Sequence, residues 1–174
     1  LRSAGDQDVA SRGDDHLLRS TALTGKNGEH IERLVMISVG PAGRIVRRVE
    51  FDPQDLVAAH SELDRVWLDS LSGRAAEVAR LAIDAGHAAV EGDAARLAGC
   101  LTDDFEHVDH RLRGVGRTGR SDYLAFIQSV AETVGDSTAL AGSRHVVGES
   151  AVFAYEIHRR STIHGTESSA AAVG

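Results

Sequence analysis

The sequence predicts an α+β fold in which a mainly antiparallel sheet packs on helices. Two observations lead to this prediction. Short segments that favour β-structure are separated by glycine-rich turns, and longer segments repeat their apolar residues with the period of a helix. At 174 residues the chain is long enough for one well-buried domain and too short for two ordinary ones.

The first part of the chain is predicted to contain three strands and one helix. Residues 1–14 are rich in Gly, Asp, Ser and Gln, which predicts a mobile arm. Strands are expected at residues 16–24, 31–39 and 44–51. Asp52 and Pro53 then predict a helix start, because Asp can cap a helix and Pro fits its first position, and this helix is expected to end near Trp67.

The second part is predicted to alternate helices and strands. Helices are expected at residues 75–90 and 94–101 and from Ser121 onward. Strands are expected at residues 105–112, 143–147 and 151–162. Residues 114–119 read as a glycine-rich loop. Its Gly-x-Gly-x-x-Gly pattern is a weak match to a dinucleotide fingerprint because no parallel βαβ unit surrounds it, so no cofactor is predicted.

The composition excludes several classes of partner. The chain carries 19 Lys and Arg against 26 Asp and Glu, a formal charge of −7, which predicts no nucleic-acid binding. It has no apolar run long enough to span a membrane and no signal-like leader, so we expect no membrane partner and a cytoplasmic location. Cys100 is the only cysteine and is predicted to be a small buried hydrophobe.

Several segments resemble one known family. The chain reads Val-Glu-Gly-Asp from Val90, then Thr-Asp-Asp-Phe to Phe105, and Gly-Arg-Ser-Asp-Tyr-Leu-Ala-Phe from Gly119. These segments resemble the opening of a nuclear transport factor 2-like domain, a superfamily that includes SnoaL-like proteins and ketosteroid isomerase. The predicted hairpin at residues 33–52, with its Gly-Pro-Ala-Gly turn, resembles the closing hairpin of the same fold.

The order of these segments implies a permuted domain organisation. Residues 1–68 resemble the closing half of a SnoaL-like domain, with three strands and the final helix, and residues 69–174 resemble the opening half of the next or the same domain. Two explanations stay open: the chain is a piece of a tandem array, or the order is a circular permutation. In both cases the two halves supply one set of elements, closed within one chain or by exchange between two.

The resemblance implies a cystatin-like, cone-shaped fold in which a strongly curved, mainly antiparallel sheet wraps against the helices and leaves a conical pocket. The leading hypothesis is a module of a larger regulatory protein that binds a small, largely apolar molecule. One alternative is an enzyme of the isomerase, polyketide-cyclase or epoxide-hydrolase type, and another is a dimerisation scaffold. Because sheets of this family commonly pair face to face, the resemblance also implies a homodimer.

The predicted strand at residues 105–112 carries the candidate site. Alternation places Phe105, His107, Asp109 and Arg111 on one face, and Val108 is among the residues on the other. Three polar side chains in a row suggest a pocket wall. The alternative is that this face is solvated and that the face with Val108 packs inward.

The ketosteroid isomerase resemblance assigns Asp109 as the candidate general base, with His107 and Arg111 beside it. A carboxylate in an apolar cone suits proton abstraction next to a carbonyl. The positions that should supply the oxyanion donors hold Ala85 and Val35, which weighs against steroid isomerase chemistry. In the epoxide-hydrolase alternative, Asp109, Arg111 and Glu156 form an acid-base set. The sequence does not decide whether the chain is an enzyme.

The ligand-binding residues are predicted to be largely aromatic. They are Phe105, Tyr123, Phe126, Tyr155, His158 and Met36. A His-x-Asp pair on a strand is common by chance, so no metal is predicted.

Overall fold

A computed structural model describes residues 2–24, 26–111, 114, 116–134, 137–147, 150–159 and 168–172. The strands are β1 (Arg2–Arg12), β2 (His16–Thr24), β3 (His30–Val39), β4 (Ile45–Phe51), β5 (Glu106–Asp109), β6 (Gly116–Gly119), β7 (Ser137–Val147), β8 (Ser150–Arg159) and β9 (Ser168–Ala172). The helices are α1 (Leu56–Ser70), α2 (Gly73–Glu91), α3 (Ala94–Cys100) and α4 (Arg120–Val134).

The larger sheet has the strand order β4-β3-β2-β1-β7-β8-β9, and β5 pairs with β6 in a separate two-stranded sheet. The pairs β1–β2, β2–β3 and β3–β4 are antiparallel, whereas β1 pairs with β7 in parallel. The sheet is therefore mixed, and the α+β class predicted from the sequence is confirmed. The cone shape and the permuted order stay predictions.

The chain divides into two compact units. The first unit comprises Leu1–Val78, Leu140–Tyr155 and Ala172–Gly174, and the second comprises Ala79–Ala139 and Glu156–Ala171. The first unit thus combines the N-terminal strands with much of β7, while the second contains the β5–β6 hairpin with α3 and α4. The assignment of residues 1–68 and 69–174 to two halves of a SnoaL-like domain stays a prediction.

The core of the first unit lies between the sheet and α1. Alternate residues of the strands face α1, and α1 packs against them with apolar residues spaced three and four positions apart. The buried cluster consists of Ala10, Leu18, Leu34, Met36, Ala59 and Leu63. The helix itself begins at Leu56 instead of at Pro53, because residues 52–55 form a turn in which the amide of Asp55 donates to the carbonyl of Asp52 at 3.0 Å.

Residues 2–12 form a strand where the sequence predicts a mobile arm. The segment lacks the alternation of apolar residues that marks a strand, and its order comes from its partners. Gly13, at φ +55°, turns the chain so that β1 pairs with β2 along most of its length. Arg12 then anchors the end of β1 through side-chain bonds.

A buried network of charged groups joins β1, β7 and α1. Arg12 and Arg144 lie side by side in the parallel register and are 0% and 3% exposed. The Nε of Arg12 donates to Oδ1 of Asp64, and the Nη1 of Arg144 donates to Oδ2 at 2.6 Å. The guanidinium of Arg12 also donates to the carbonyl of Ala141 at 3.1 Å. A single carboxylate on α1 therefore holds two neighbouring strands.

A second buried polar group lies at the start of β2. His16 is 8% exposed, and its Nδ1 lies 3.0 Å from the hydroxyl oxygen of Ser38, its partner in the β2–β3 register. Its Nε2 lies 3.4 Å from the hydroxyl of Ser70, at the end of α1. Burial lowers the pKa of His16 below its ordinary value, although the charge of Asp15 acts in the opposite direction. The imidazole therefore favours its neutral form.

The second unit depends on a close approach between helices. Asp93 caps α3 by accepting from the amide of Arg96 at 2.9 Å. Gly92, at φ +70°, precedes this cap, and a methyl group there would lie 2.3 Å from the Cβ of Ala131 on α4. The contact requires glycine and a small partner, and it sets the position of α4, which contributes to the site described below.

Replacing Asp64 with Asn is expected to lower the free energy of unfolding by about 3–5 kcal/mol, because two buried guanidinium groups lose the carboxylate that accepts from them. Urea unfolding measures the change. Asp69→Asn is the matched control, since Asp69 lies on the same helix with its side chain 66% exposed in a surface pair with Arg65. Its loss is expected to change stability little. Equal effects of the two substitutions would contradict the role given to Asp64.

The stability of the first unit is expected to fall in mild acid because of His16. With the folded-state pKa below the unfolded value, the unfolded state binds the proton more readily. The contribution is complete above about pH 6.5 and is lost as the pH falls through the folded-state pKa. His16→Gln should flatten this decline in urea midpoints. His30→Gln, at a ring 53% exposed, should leave the decline unchanged, and the same slope in all three chains would show that another group controls it.

Candidate functional site

The β5–β6 hairpin turns the polar face of β5 away from solvent. Phe105, His107 and Asp109 are half-buried, whereas Glu106 and Val108 on the opposite face are exposed. Val108 is 38% exposed although it is apolar. Alternation alone does not determine which face packs inward; in the structure the face with Phe105, His107 and Asp109 is the more buried one.

Tyr123 of α4 lies against this face. Its ring centroid is 5.1 Å from that of Phe105 and 4.8 Å from that of His107, with interplanar angles of 44° and 35°. These tilted contacts are typical of stable aromatic pairs. The Nδ1 of His107 also lies 3.3 Å from the hydroxyl of Thr118 on β6. The result is a group of three rings with one polar anchor on the neighbouring strand.

Asp109 ends the strand with its carboxylate almost fully enclosed. Its side chain is 4% exposed, whereas that of Arg111 is 68% exposed. Arg111 donates to Asp109 three times: its amide at 3.0 Å and its Nε at 2.9 Å to Oδ1, and its Nη2 at 2.7 Å to Oδ2. These bonds and the charge of the carboxylate raise the pKa of Arg111. The carboxylate of Asp109 is therefore held in a bidentate, charge-assisted pair with the guanidinium of Arg111.

Gly114 closes the chain over this carboxylate. Its amide donates to the carbonyl of Arg111 at 2.9 Å. A Cβ at this position would lie 2.4 Å from the Cγ of Asp109 and within 2.6 Å of both carboxylate oxygens. Only glycine fits here without movement of the backbone or of Asp109, so Gly114 and the enclosed carboxylate are in direct contact.

The remaining predicted site residues lie elsewhere. Phe126 follows Tyr123 by one turn of α4 and is 38% exposed. Met36 belongs to the first unit, where it is 0% exposed in the core cluster. Tyr155 and His158 fall within β8, but their side chains, like that of Glu156, lie outside the residues whose side chains are described. The part they would take in a site stays a prediction.

Sequence reasoning missed two polar groups of the first unit: the Asp64 network and the contacts of His16. A signal for the first was present. His60 and Asp64 occupy one face of α1 together with Leu63 and Trp67, so two ionisable residues interrupt an apolar stripe, and all four are buried. The contact between His16 and Ser38 depends on the strand register, which the sequence did not specify.

Cys100 is half-buried on α3, in partial agreement with the predicted buried hydrophobe. Its Sγ lies 3.6 Å from Oδ2 of Asp84 and 3.5 Å from the carbonyl oxygen of Arg96. Burial, followed by the bond to Asp84, raises the pKa of the thiol. Because the thiolate is the nucleophilic form, this environment does not favour covalent catalysis by Cys100.

A groove of about 460 Å³ is present on the surface of the first unit. It is lined by Ile31, Glu32, Arg33, Glu50, Phe51, Asp52 and Asp55. None of these is a predicted site residue. Within the described part of the chain, no three His, Cys, Asp or Glu side chains are arranged to hold a metal ion. None of the described helices has the length and apolar character that crossing a bilayer requires.

Comparisons with protein-family models, with curated proteins and with solved structures found no match to this chain. The resemblance to the nuclear transport factor 2-like superfamily thus rests on the motifs and their order, and it stays a prediction.

Gly114→Ala is expected to destabilise the second unit by about 1–3 kcal/mol, because the added methyl group overlaps the Asp109 carboxylate and forces residue 114 or Asp109 to move. Thermal unfolding measures the change. Gly119→Ala on β6 is the matched control, since a methyl group there meets no heavy atom within 4 Å. If Gly114→Ala melts at the same temperature as Gly119→Ala, the close contact between residue 114 and the Asp109 carboxylate does not contribute to stability.

Proposed function

We propose that this chain is a small-molecule-binding module of the SnoaL-like kind, acting within a larger regulatory protein. The ligand is a small, largely apolar molecule held against the inner face of β5 and the facing side of α4. The supporting observation is the half-buried face of Phe105, His107 and Asp109, which turns toward Tyr123 while the apolar Val108 faces solvent. A strand that exposes valine and encloses polar groups suggests a site rather than a simple core.

The chemistry of this face suits a flat molecule with one polar end. Phe105 and Tyr123 offer aromatic surface to an apolar body. His107 and Thr118 offer hydrogen-bonding groups beside it. The exposed guanidinium of Arg111 can donate through Nη1 to an anionic or carbonyl oxygen of the ligand while its Nε and Nη2 remain bonded to Asp109. Few, well-placed polar groups in an aromatic setting are typical of small-molecule sites.

An enzyme that uses Asp109 as general base is the second candidate. The 4% exposure of its carboxylate favours this role, since enclosed acids can be tuned for proton transfer. The three bonds from Arg111 weigh against it, because they already fill most of the acceptor positions of the two carboxylate oxygens. We therefore place binding ahead of catalysis.

Native mass spectrometry of the purified chain is the first test of a retained ligand, which would appear as mass above an integer multiple of the protein.

Binding of anilinonaphthalene sulfonate, a fluorescent molecule with an aromatic body and an anionic group, provides a direct assay. Phe105→Ala and His107→Ala are each expected to weaken its binding by about tenfold, because each removes a ring that packs on Tyr123.

Val108→Ala is the matched control for the binding assay, since it changes the opposite face of the same strand and should leave the affinity unaltered. Circular dichroism establishes that each variant is folded before binding is compared. If Phe105→Ala and His107→Ala bind the probe as tightly as Val108→Ala, the inner face of β5 is not the binding site.

A further inference from the structure

The outer edge of β4 ends the larger sheet. In the strand order, β4 has β3 on one side and no strand on the other within the described part of the chain. Its first four residues, 45–48, are all exposed. Ile45 is 61% exposed and Val46 is 70% exposed, the two highest values among the large exposed apolar residues apart from Val147. The backbone along this edge is open to a further strand.

The charges on β4 do not protect this edge. Natural sheets commonly discourage edge pairing with unbalanced charged residues, because like charges repel an approaching strand. Here each arginine has an acidic partner: Arg47 bonds to Glu62 of α1 at 2.6 Å, and Arg48 bonds to Glu50 at 2.8 and 3.0 Å. Arg33 of β3 also bonds to Glu50. The strand therefore presents neutralised ion pairs and exposed apolar side chains.

We propose that the β4 edge is an interface with a second copy of this chain, in which residues 47–51 of the two β4 strands pair antiparallel about a two-fold axis at Val49 and the exposed Ile45 and Val46 lie beyond the paired segment. In this register Arg48 lies opposite Glu50 of the partner subunit, and the symmetry repeats the contact. The register with β3 pairs Arg48 with Ile37 and Glu50 with Val35, so both side chains lie on the face opposite Met36 and the core. Opposite charges directly across a strand pair stabilise it.

A second copy is favoured over an unrelated extended segment because the sequence of β4 complements itself. Arg48 and Glu50 have opposite charges and flank Val49, so two copies related by a two-fold axis at Val49 form two identical cross-strand ion pairs. The pairing would join the two larger sheets edge to edge, unlike the face-to-face association that the family resemblance implies. The proposal concerns the first unit and does not depend on the ligand site proposed for the second.

Charge reversal at the two positions tests the interface by sedimentation velocity of the full chain at about 1–100 µM, a range suited to a small interface. The wild-type chain is expected to form a dimer. In the Arg48→Glu variant the new glutamate lies opposite Glu50 of the partner subunit, and in the Glu50→Arg variant the new arginine lies opposite Arg48 of the partner subunit. Because like charges then face each other at both contacts, each variant alone should weaken the dimer by at least about tenfold.

An equimolar mixture of Arg48→Glu and Glu50→Arg is expected to restore dimerisation, because each Glu of one chain then lies opposite an Arg of the other. A folding defect in either variant would not be rescued in this way. Arg65→Glu on α1 is the matched control, since the side chains of Arg48 and Arg65 are both 51% exposed, and it should leave the dimer intact. A monomeric wild-type chain over the whole range, unchanged dimerisation in both variants, or a mixture no stronger than its components would each overturn the proposal.

Discussion

The carboxylate of Asp64 is the point on which the first unit depends. Three elements far apart in the sequence meet there, because Arg12 ends β1, Arg144 lies in β7 and Asp64 lies on α1. Burying a guanidinium costs free energy unless its charge is compensated. Arg12 and Arg144 can therefore be buried only when α1 places the Asp64 carboxylate beside them. Replacing buried ion pairs with apolar residues of similar volume is often neutral or stabilising, so we expect this network to select one arrangement of the strands more than to add net stability. It fixes which residues of β1 and β7 lie side by side, and it explains why a strand with little apolar character is ordered.

The second unit uses close contact where the first uses charge. Gly92 lets α4 approach the start of α3 at Ala131, and Gly114 lets the chain fold over the carboxylate of Asp109. The two contacts act on different elements of the candidate site, since α4 carries Tyr123 and β5 carries the residues that meet it. A position one methyl group larger at either glycine would displace an element that the rings of Phe105 and His107 contact. The geometry of the site thus depends on glycine at positions 92 and 114 as well as on the groups that line the site.

Much of this architecture could be predicted from local sequence. The two glycine-rich turns predicted β2, β3 and β4 within one or two residues, and apolar periodicity predicted the helices, because in both cases the signal is carried by neighbouring residues. The pairing of β1 and the β6 strand at Gly116–Gly119 were not predicted, since their order depends on partners distant in the sequence. Alternation placed Phe105, His107, Asp109 and Arg111 on one face, and Tyr123 was predicted as a binding residue. The stacking of Tyr123 on Phe105 and His107 and the bidentate bond between Arg111 and Asp109 were not predicted, because they depend on side-chain positions in the folded chain.

The parallel pairing of β1 with β7 has a consequence for the order of events during biosynthesis. Arg12 and Ala141, which are bonded in the finished molecule, are 129 residues apart in the chain. When the first four strands and α1 have been synthesised, the ribosome has not yet made β7, so the edge of β1 that faces β7 stays open until residues 137–147 have emerged. Contacts of such long sequence separation form late and slowly, because the loop between them must be closed before any stabilising contact is gained. During that interval the nascent chain exposes an unpaired strand, the kind of surface that molecular chaperones bind.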